Sequence, residues 1–425
     1  MKAHIVQTNQ KRIVVVGGGF SGLKLVRALS NTDYQVVLID RNNYYQFQPL
    51  FYQVATAGLE PSTISFPFRR IFQKSKNVHV RVAEVLKVNT DLNQLETTIG
   101  IVYYDYLVLA MGADTNFFGN KKIMELAYPM KSVSEALELR NAILQNYEDA
   151  LSESDREKRK RLMNVVVVGG GATGVEVAGT LAEMKRTILP KDYPELDFKM
   201  MQVYLLEGSS RVLNVMSEHA SEKAAKYLKE LGVNVFLNSL VKDYDGETVY
   251  LDGGKQIATK TVVWAAGVVA NKIEGLKPEV IARGNRMKVD RTNKVEGYDN
   301  IYAIGDIAYM VEEKYPNGHP QVAQVAIQQA KTLAKNFMNM YYHKPLKQFS
   351  YKDPGSMATV GRNKAVADLP NMKFAGFFAW LIWMFIHLMS LVGGKNRLLA
   401  FINWAWSYFT FDQSLRLIIK TKSRK

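Results

Sequence analysis

Two short runs, Ile13 to Val16 and Val165 to Val168, are apolar at every position instead of at every second one. A strand apolar on both faces is buried on both faces, which predicts parallel strands covered by helices. Each run passes into a glycine-rich turn and then into a segment with helical spacing, Leu23 to Leu29 and Val175 to Arg186. Further strand-like runs follow at Tyr34 to Ile39, Tyr106 to Ala110, Met201 to Leu206, Thr261 to Ala266 and Asn300 to Ile304. Strands alternating with helices in this way predict an α/β fold.

The two turns read Gly17-Gly18-Gly19-Phe20-Ser21-Gly22 and Gly169-Gly170-Gly171-Ala172-Thr173-Gly174. In this spacing Gly17 and Gly169 permit a tight turn, Gly19 and Gly171 let backbone approach a pyrophosphate, and Gly22 and Gly174 let helix pack on strand. Ser21 and Thr173 lie in the same loops, at a helix N-terminus that supplies N–H donors and positive potential. One copy alone is compatible with a plain structural turn. Two copies in strand–turn–helix context point to two bound dinucleotides.

The acids that follow sharpen this reading. The run from Tyr34 ends at Asp40, and the run from Met201 ends at Glu207, each placed for a carboxylate to accept ribose hydroxyls. The second spacing is longer, with Thr187 to Lys199 inserted and Pro190 and Pro194 breaking the helix. A carboxylate at Glu207 would repel a 2′-phosphate and so favours NADH over NADPH, although Arg211 lies close in sequence. Both units close with a strand that runs into small residues, at Ala110 and Gly112 and at Ala266 and Gly267. A glycine there lets backbone lie against a cofactor, or simply ends the strand.

Composition narrows the chemistry. The chain has 425 residues, 47% of them apolar and 22% charged, which suits two or three ordered domains. It has no cysteine, so disulfides, thiolate metal sites and redox through a CxxC pair are excluded, and no metal is expected. Any redox chemistry must be carried by bound cofactors. The N-terminal residues Met1 to Arg12 are polar and show no apolar signal region, so export is not expected. The net charge of +15 is spread along the chain instead of concentrated in one tract, and no nucleic-acid partner is expected.

The charge gains meaning at the carboxyl end. Phe374 to Gly394 is an uncharged apolar run apart from His387, long enough for a membrane span. Trp380 and Trp383 suit an interface, His387 reads as an ordinary helix residue, and the run ends in Lys395-Asn396-Arg397. The stretch Leu398 to Phe411 is aromatic, and the tail carries Arg416, Lys420, Lys422, Arg424 and Lys425. This order predicts a segment lying on an anionic lipid surface in preference to one crossing it, with burial inside the protein or a dimer contact as the alternative.

Taken together these residues resemble the type II NADH:quinone oxidoreductases, single-subunit respiratory flavoenzymes. The resemblance runs from Lys11 to about Ile419 and rests most specifically on Phe47 to Ala57 (FQPLFYQVATA), on Ala323 to Gln328 (AQVAIQ), on Gly355 to Arg362, on Asn396 to Leu399 and on Asn403 to Trp406. It implies two Rossmann-like dinucleotide-binding domains, an FAD domain with an inserted NADH domain, plus a C-terminal helical membrane-associating segment. The implied boundaries are 1–130 and 291–350 for the FAD domain, 131–290 for the NADH domain and 351–425 for the membrane-associating region. Gly305-Asp306 resembles the second flavin fingerprint, in which the aspartate holds the ribityl chain; Gln48, Val85 and Gln324 are further implied FAD contacts.

Gln324 and Gln328 are four apart and share a helix face. The resemblance makes them quinone-site residues; otherwise they would read as surface glutamines. Glu176, one turn into the second glycine helix, matches a family glutamate beside nicotinamide and flavin, where burial would raise its pKa and allow proton relay to quinone. Its plainer reading is an acid favoured by the helix dipole. Some relatives carry another glutamate four residues later, where this chain has Thr180, and the relay through that position is in doubt.

The activity implied is non-covalent FAD taking hydride from NADH and passing two electrons to a membrane quinone without proton pumping, at the cytoplasmic face of the inner membrane. The lack of cysteine excludes disulfide reductases and sulfide:quinone oxidoreductases. A soluble ferredoxin- or rubredoxin-type reductase and an NADH-sensing flavoprotein are the remaining alternatives. Symmetric dimers are common among such enzymes, but nothing in the sequence requires a homodimer.

Overall fold

The computed structural model describes residues 3–411 and 415–419. Lys420, Lys422, Arg424 and Lys425 of the basic tail lie outside the described residues. In chain order, the elements that build the sites begin with β1 (Arg12–Val16), α1 (Phe20–Ala28), β2 (Gln35–Asp40), α2 (Phe51–Ala55), β3 (Val78–Val82) and β4 (Tyr106–Leu109). Next come α3 (Val133–Ser152), β5 (Val165–Val168), α4 (Ala172–Thr187), β6 (Val203–Leu206), α5 (Glu218–Leu231), β7 (Val233–Phe236), β8 (Thr261–Trp264) and β9 (Ile301–Ala303). The chain ends with α6 (Ala323–Tyr341), β10 (Ser356–Thr359), β11 (Ala365–Leu369), β12 (Met372–Ala375), α7 (Phe377–Ser390) and α8 (Gly394–Thr410).

Two compact units emerge. The first comprises residues 1–45, 66–114 and 268–353. Its centre is a five-stranded sheet in the order β9-β4-β1-β2-β3, parallel throughout. Ile13, Val14, Val15, Val36 to Ile39 and Leu107 to Leu109 are fully buried, as two-sided burial of these apolar runs requires. Helices α1 and α6 pack on each other.

The second unit comprises residues 46–65, 115–267 and 354–425. It repeats the plan with a parallel four-stranded sheet in the order β7-β6-β5-β8. Helix α3 opens with a full capping box, in which Ser132 and Glu135 satisfy each other's backbone donors. The C-terminal strands β10-β11-β12 form an antiparallel sheet in this unit, and α4, α5 and α7 pack against it.

Several expectations are corrected in detail. Helices α1 and α4 begin at Phe20 and Ala172, three residues before the predicted starts, because the glycine loops themselves supply their N-caps. The apolar run from Phe374 is not one element: Phe374 and Ala375 close β12, and α7 is a separate 14-residue helix. Among the described residues, no helix is long and apolar enough to cross a membrane. Trp383, expected at an interface, is 1% exposed, and Arg416 is held by an ion pair with Asp192.

Candidate active site and dinucleotide cradles

In the first unit the glycine loop is a tight fit on one side and open on the other. Gly17 has φ +98°, and a Cβ there would sit 2.4 Å from the Ala110 carbonyl; one on Gly22 would sit 1.8 Å from the Gly17 carbonyl. A Cβ on Gly19 would meet nothing within 4 Å, and α1 starts from it with no side-chain cap, an arrangement that suits a pyrophosphate. Asp40 accepts the Gly18 N–H at 2.6 Å and the Asn42 N–H at 2.7 Å. Burial pushes its carboxyl upward, and those two N–H groups and Arg41 oppose the shift.

Gly305 has φ +77°, and a Cβ on it would meet the Ser21 hydroxyl at 2.9 Å, so the Gly305-Asp306 turn and the first loop lie side by side. Asp306 follows in the same 3-10 turn, and its carbonyl accepts from Gln321. Ala110 is buried at the end of β4, Gly112 has φ +68° with open space beside it, and Val85 is a half-buried strand residue. These groups fit an FAD. Gln48 falls in the second unit, in the 3-10 turn Gln48–Leu50.

The two glutamines of α6 differ. Gln324 is exposed in the first turn. Gln328 is tied down: its amide donates to the Lys352 carbonyl at 2.8 Å and accepts the Lys352 N–H at 3.1 Å. The neighbouring Gln329, which sequence reasoning passed over, is fully buried and accepts the Gly305 N–H at 2.7 Å. It thereby fixes the fingerprint turn.

The second unit reproduces the loop geometry almost atom for atom. A Cβ on Gly169 (φ +109°) would sit 2.4 Å from the Ala265 carbonyl, and one on Gly174 would sit 1.8 Å from the Gly169 carbonyl. Gly171 is open, α4 lacks a side-chain cap, and Thr173 is exposed at the helix entrance. Glu207 accepts the Gly170 N–H at 2.5 Å and the Ser209 N–H at 2.7 Å. Each oxygen retains a lone pair for a ribose hydroxyl. Arg211 instead donates to the Asn214 carbonyl. Ala266 and Gly267 follow β8, half-buried, with Gly267 at φ +150°.

Glu176 occupies the inner face of α4 and is 7% exposed. Burial pushes its carboxyl up to about 8, against the Thr359 N–H at 3.3 Å, the Thr359 hydroxyl and the Trp383 indole. The Trp383 indole N–H is buried and opposes the upward shift less than Thr359 does. The Thr359 hydroxyl lies 3.2 Å from the Tyr52 hydroxyl, which accepts from the Gln53 amide at 3.0 Å, and the Trp404 indole donates to Gln53 Oε1 at 2.7 Å. Tyr52 is driven strongly upward by burial, then by the charge of Glu176.

Tyr52, Gln53, Thr359, Trp383 and Trp404, but not Glu176 itself, border an open cavity of about 650 Å³, part of it continuous with solvent, between α2, α4, β10, α7 and α8. His387 stacks on Trp383 at 3.8 Å and donates through Nδ1 to the Trp383 carbonyl. Burial pushes it down to about 4, so it is neutral at physiological pH. Tyr52 and Thr359 lie inside segments that carried the resemblance but were not singled out by it, and Trp383 was read only as an interface residue. A helical-period count from Glu176 would have found Glu183, two turns on, which also borders the cavity.

The outer faces of α7 and α8 are apolar and exposed, including Phe378, Leu381, Phe385 and Met389 on the first and Leu398, Phe401 and Phe409 on the second. Their inner faces carry Trp383 and Trp404.

With this geometry in hand, the relatives are informative. The pyridine nucleotide-disulphide oxidoreductase family model matches residues 11–330, and the NDH2 C-terminal domain model matches residues 354–410. The type II NADH:quinone oxidoreductase Ndh of Mycobacterium tuberculosis is 36% identical over 421 residues, spanning 94% of this chain and 88% of that protein. The type II NADH:quinone oxidoreductase of Haemophilus influenzae is 30% identical over 397 residues, spanning 85% of this chain and 87% of that protein. NDH2 of Plasmodium falciparum, solved in complex with NADH, shares the fold with a TM-score of 0.89 at 23% identity, covering 97% of this chain and 100% of that one. Paired glycine cradles, a matching C-terminal domain and end-to-end similarity lead to one conclusion: the chain belongs to the type II NADH:quinone oxidoreductases.

Proposed function

We propose that the protein oxidises NADH and reduces a membrane quinone in a respiratory chain, using non-covalent FAD and without pumping protons. The observation that carries this reading is the Glu176 carboxyl, buried and raised to about 8 against Thr359 and Trp383, which line a cavity framed by two helices with apolar outer faces. The first glycine loop, Asp40 and Asp306 would hold FAD, and the second loop and Glu207 would hold NADH. When bound, FAD supplies the two-electron chemistry between nicotinamide and quinone.

The chain supplies position and protons. The uncapped helix starts at Gly19 and Gly171 bind pyrophosphates, and Asp40 and Glu207 orient riboses. The net reaction, NADH plus quinone plus one proton giving NAD⁺ plus quinol, draws one proton from solvent per turnover. An acid raised to about 8 is protonated near neutrality and can deliver it. The apolar faces of α7 and α8 support attachment to one side of a lipid bilayer, at the cytoplasmic face, with Lys395 and Arg397 near anionic headgroups.

Anaerobic stopped-flow absorbance of the FAD-loaded protein tests this. NADH should bleach the flavin, and a short-chain quinone should restore it. Bleaching without recovery would shift the acceptor to a redox protein, and no bleaching would overturn the assignment.

A further inference from the structure

Beyond Glu176, which lies behind Thr359, one carboxylate borders the cavity itself. Glu183 lies seven residues further along α4, on the same face and about 10 Å away along the axis. It is half-buried and therefore within reach of solvent. One of its oxygens accepts the Arg362 N–H, and Arg362, Arg186 and Lys364 face it with positive charge; Lys364 is itself paired with Glu230. Burial nevertheless pushes the Glu183 carboxyl upward. Tyr52 lies within the field of both carboxylates.

The hydroxyls between them can share a direction. The Trp404 N–H can only donate, so Gln53 Oε1 is the acceptor and the Gln53 NH₂ points at Tyr52. Tyr52 oxygen thus receives a hydrogen from Gln53, and either hydroxyl can donate between Tyr52 and Thr359; when Thr359 turns its hydrogen to Glu176, Tyr52 is the donor. Thr359 lies against Glu176, its backbone N–H reaching Glu176 Oε1 at 3.3 Å and its hydroxyl near enough to oppose the upward shift of the carboxyl, so its hydroxyl hydrogen can turn to that carboxylate. The chain of donors runs from Tyr52, at the cavity, to Glu176. Thr180 takes no part, because its hydroxyl donates to the Glu176 carbonyl on its own helix. Tyr52, Thr359 and Glu183 all border the cavity, which is polar enough at this end and large enough for water to join them.

We propose that Glu183 is the proton-entry residue for Glu176, feeding it through cavity water and the Tyr52–Thr359 hydroxyl pair. This inference rests on the quinone-reductase reading. When Glu176 gives its proton to a quinone oxygen, Thr359 hands its hydrogen to the Glu176 carboxylate and takes the one from Tyr52. Tyr52 is refilled by water, water by the Glu183 carboxyl, and Glu183 from solvent. One proton enters and one leaves per quinol formed.

Glu183→Gln keeps an acceptor for the Arg362 N–H while removing the exchangeable proton. Two readouts on the holoenzyme test it. In pH-jump infrared spectroscopy without NADH, reprotonation of the Glu176 carboxyl should slow by about tenfold or more. In steady state the alkaline limb of the quinone-reduction profile should move to lower pH, with partial rescue by small weak acids and by Glu183→Asp. Tyr52→Phe, which cuts the same chain, should slow reprotonation likewise. Wild-type infrared kinetics and an unmoved pH profile in Glu183→Gln would overturn the proposal, as would an unaffected Tyr52→Phe. If instead the unaltered enzyme fails to reduce quinone, the functional reading fails first, and the infrared experiment still decides the proton route.

Discussion

The Glu207 carboxylate holds the Gly170 N–H at 2.5 Å, so the residue expected to choose the ribose also sets the shape of the phosphate loop. Glu207→Gln should therefore change two parameters. NADPH turnover should rise relative to NADH because the repelling charge is gone, and KM for NADH should rise about tenfold because a charge-assisted hydrogen bond of ~1.5–3 kcal/mol is weakened. Steady-state kinetics with both nucleotides checks this; an unchanged NADPH/NADH ratio would take Glu207 out of specificity.

Glu176 gives the protein a pH-dependent stability. Its carboxyl titrates near 8 in the fold but near the ordinary 4.5 when unfolded, so the fold binds the proton more tightly. That contribution is fully present below the unfolded value and is lost as pH climbs through about 8. Glu176→Gln is neutral throughout, so its melting temperature should rise relative to wild type between about pH 5 and about pH 8. Thermal melts across this range at fixed ionic strength measure it. A constant offset would mean that Glu176 ionises like a surface acid.

Gln324 and Gln328 should separate by phenotype. Gln324 is exposed, so Gln324→Ala should leave stability within about 0.5 kcal/mol and slow flavin reoxidation by quinone. Gln328 makes two hydrogen bonds to the Lys352 backbone, and Gln328→Ala should cost about 1–2 kcal/mol in denaturant melts. Equal stability losses would show that the α6 face is structural at both positions.

Phe378 and Phe409 are 73% and 79% exposed on the outer faces of α7 and α8. Replacing both with Asp should abolish sedimentation with anionic vesicles while leaving the melting temperature within a few degrees, since each touches only the edge of a neighbouring ring on its own helix. Retained vesicle binding would move the attachment site elsewhere.

How much of this was visible in the residues depends on range. The strands, the glycine turns and the acids Asp40 and Glu207 are local patterns, and each lies where periodicity and spacing put it. The contacts that make Glu176 distinctive are not local. Thr359 is 183 positions away from it and 307 from Tyr52. Chain order also hides that residues 46–65 and 354–425 join the unit of the second glycine loop. Composition of the run from Phe374 suggested one long membrane element, but it could not show which side turns inward. Ala379, Trp383 and His387 recur every fourth residue and pack against the protein, while Phe378, Ile382 and Ile386 recur likewise and face out.

Helix α7 has 14 residues and so rises about 21 Å, short of the about 30 Å hydrocarbon thickness of a bilayer. On the proposed attachment to lipid, α7 and α8 would therefore enter as a wedge and not as a piston. A wedge enters one leaflet only, spreads the headgroups there and leaves the opposite leaflet untouched, so attachment does work against lateral pressure. That work is smallest where the leaflet is already loosely packed, and the protein should collect on small, convex vesicles ahead of large flat ones.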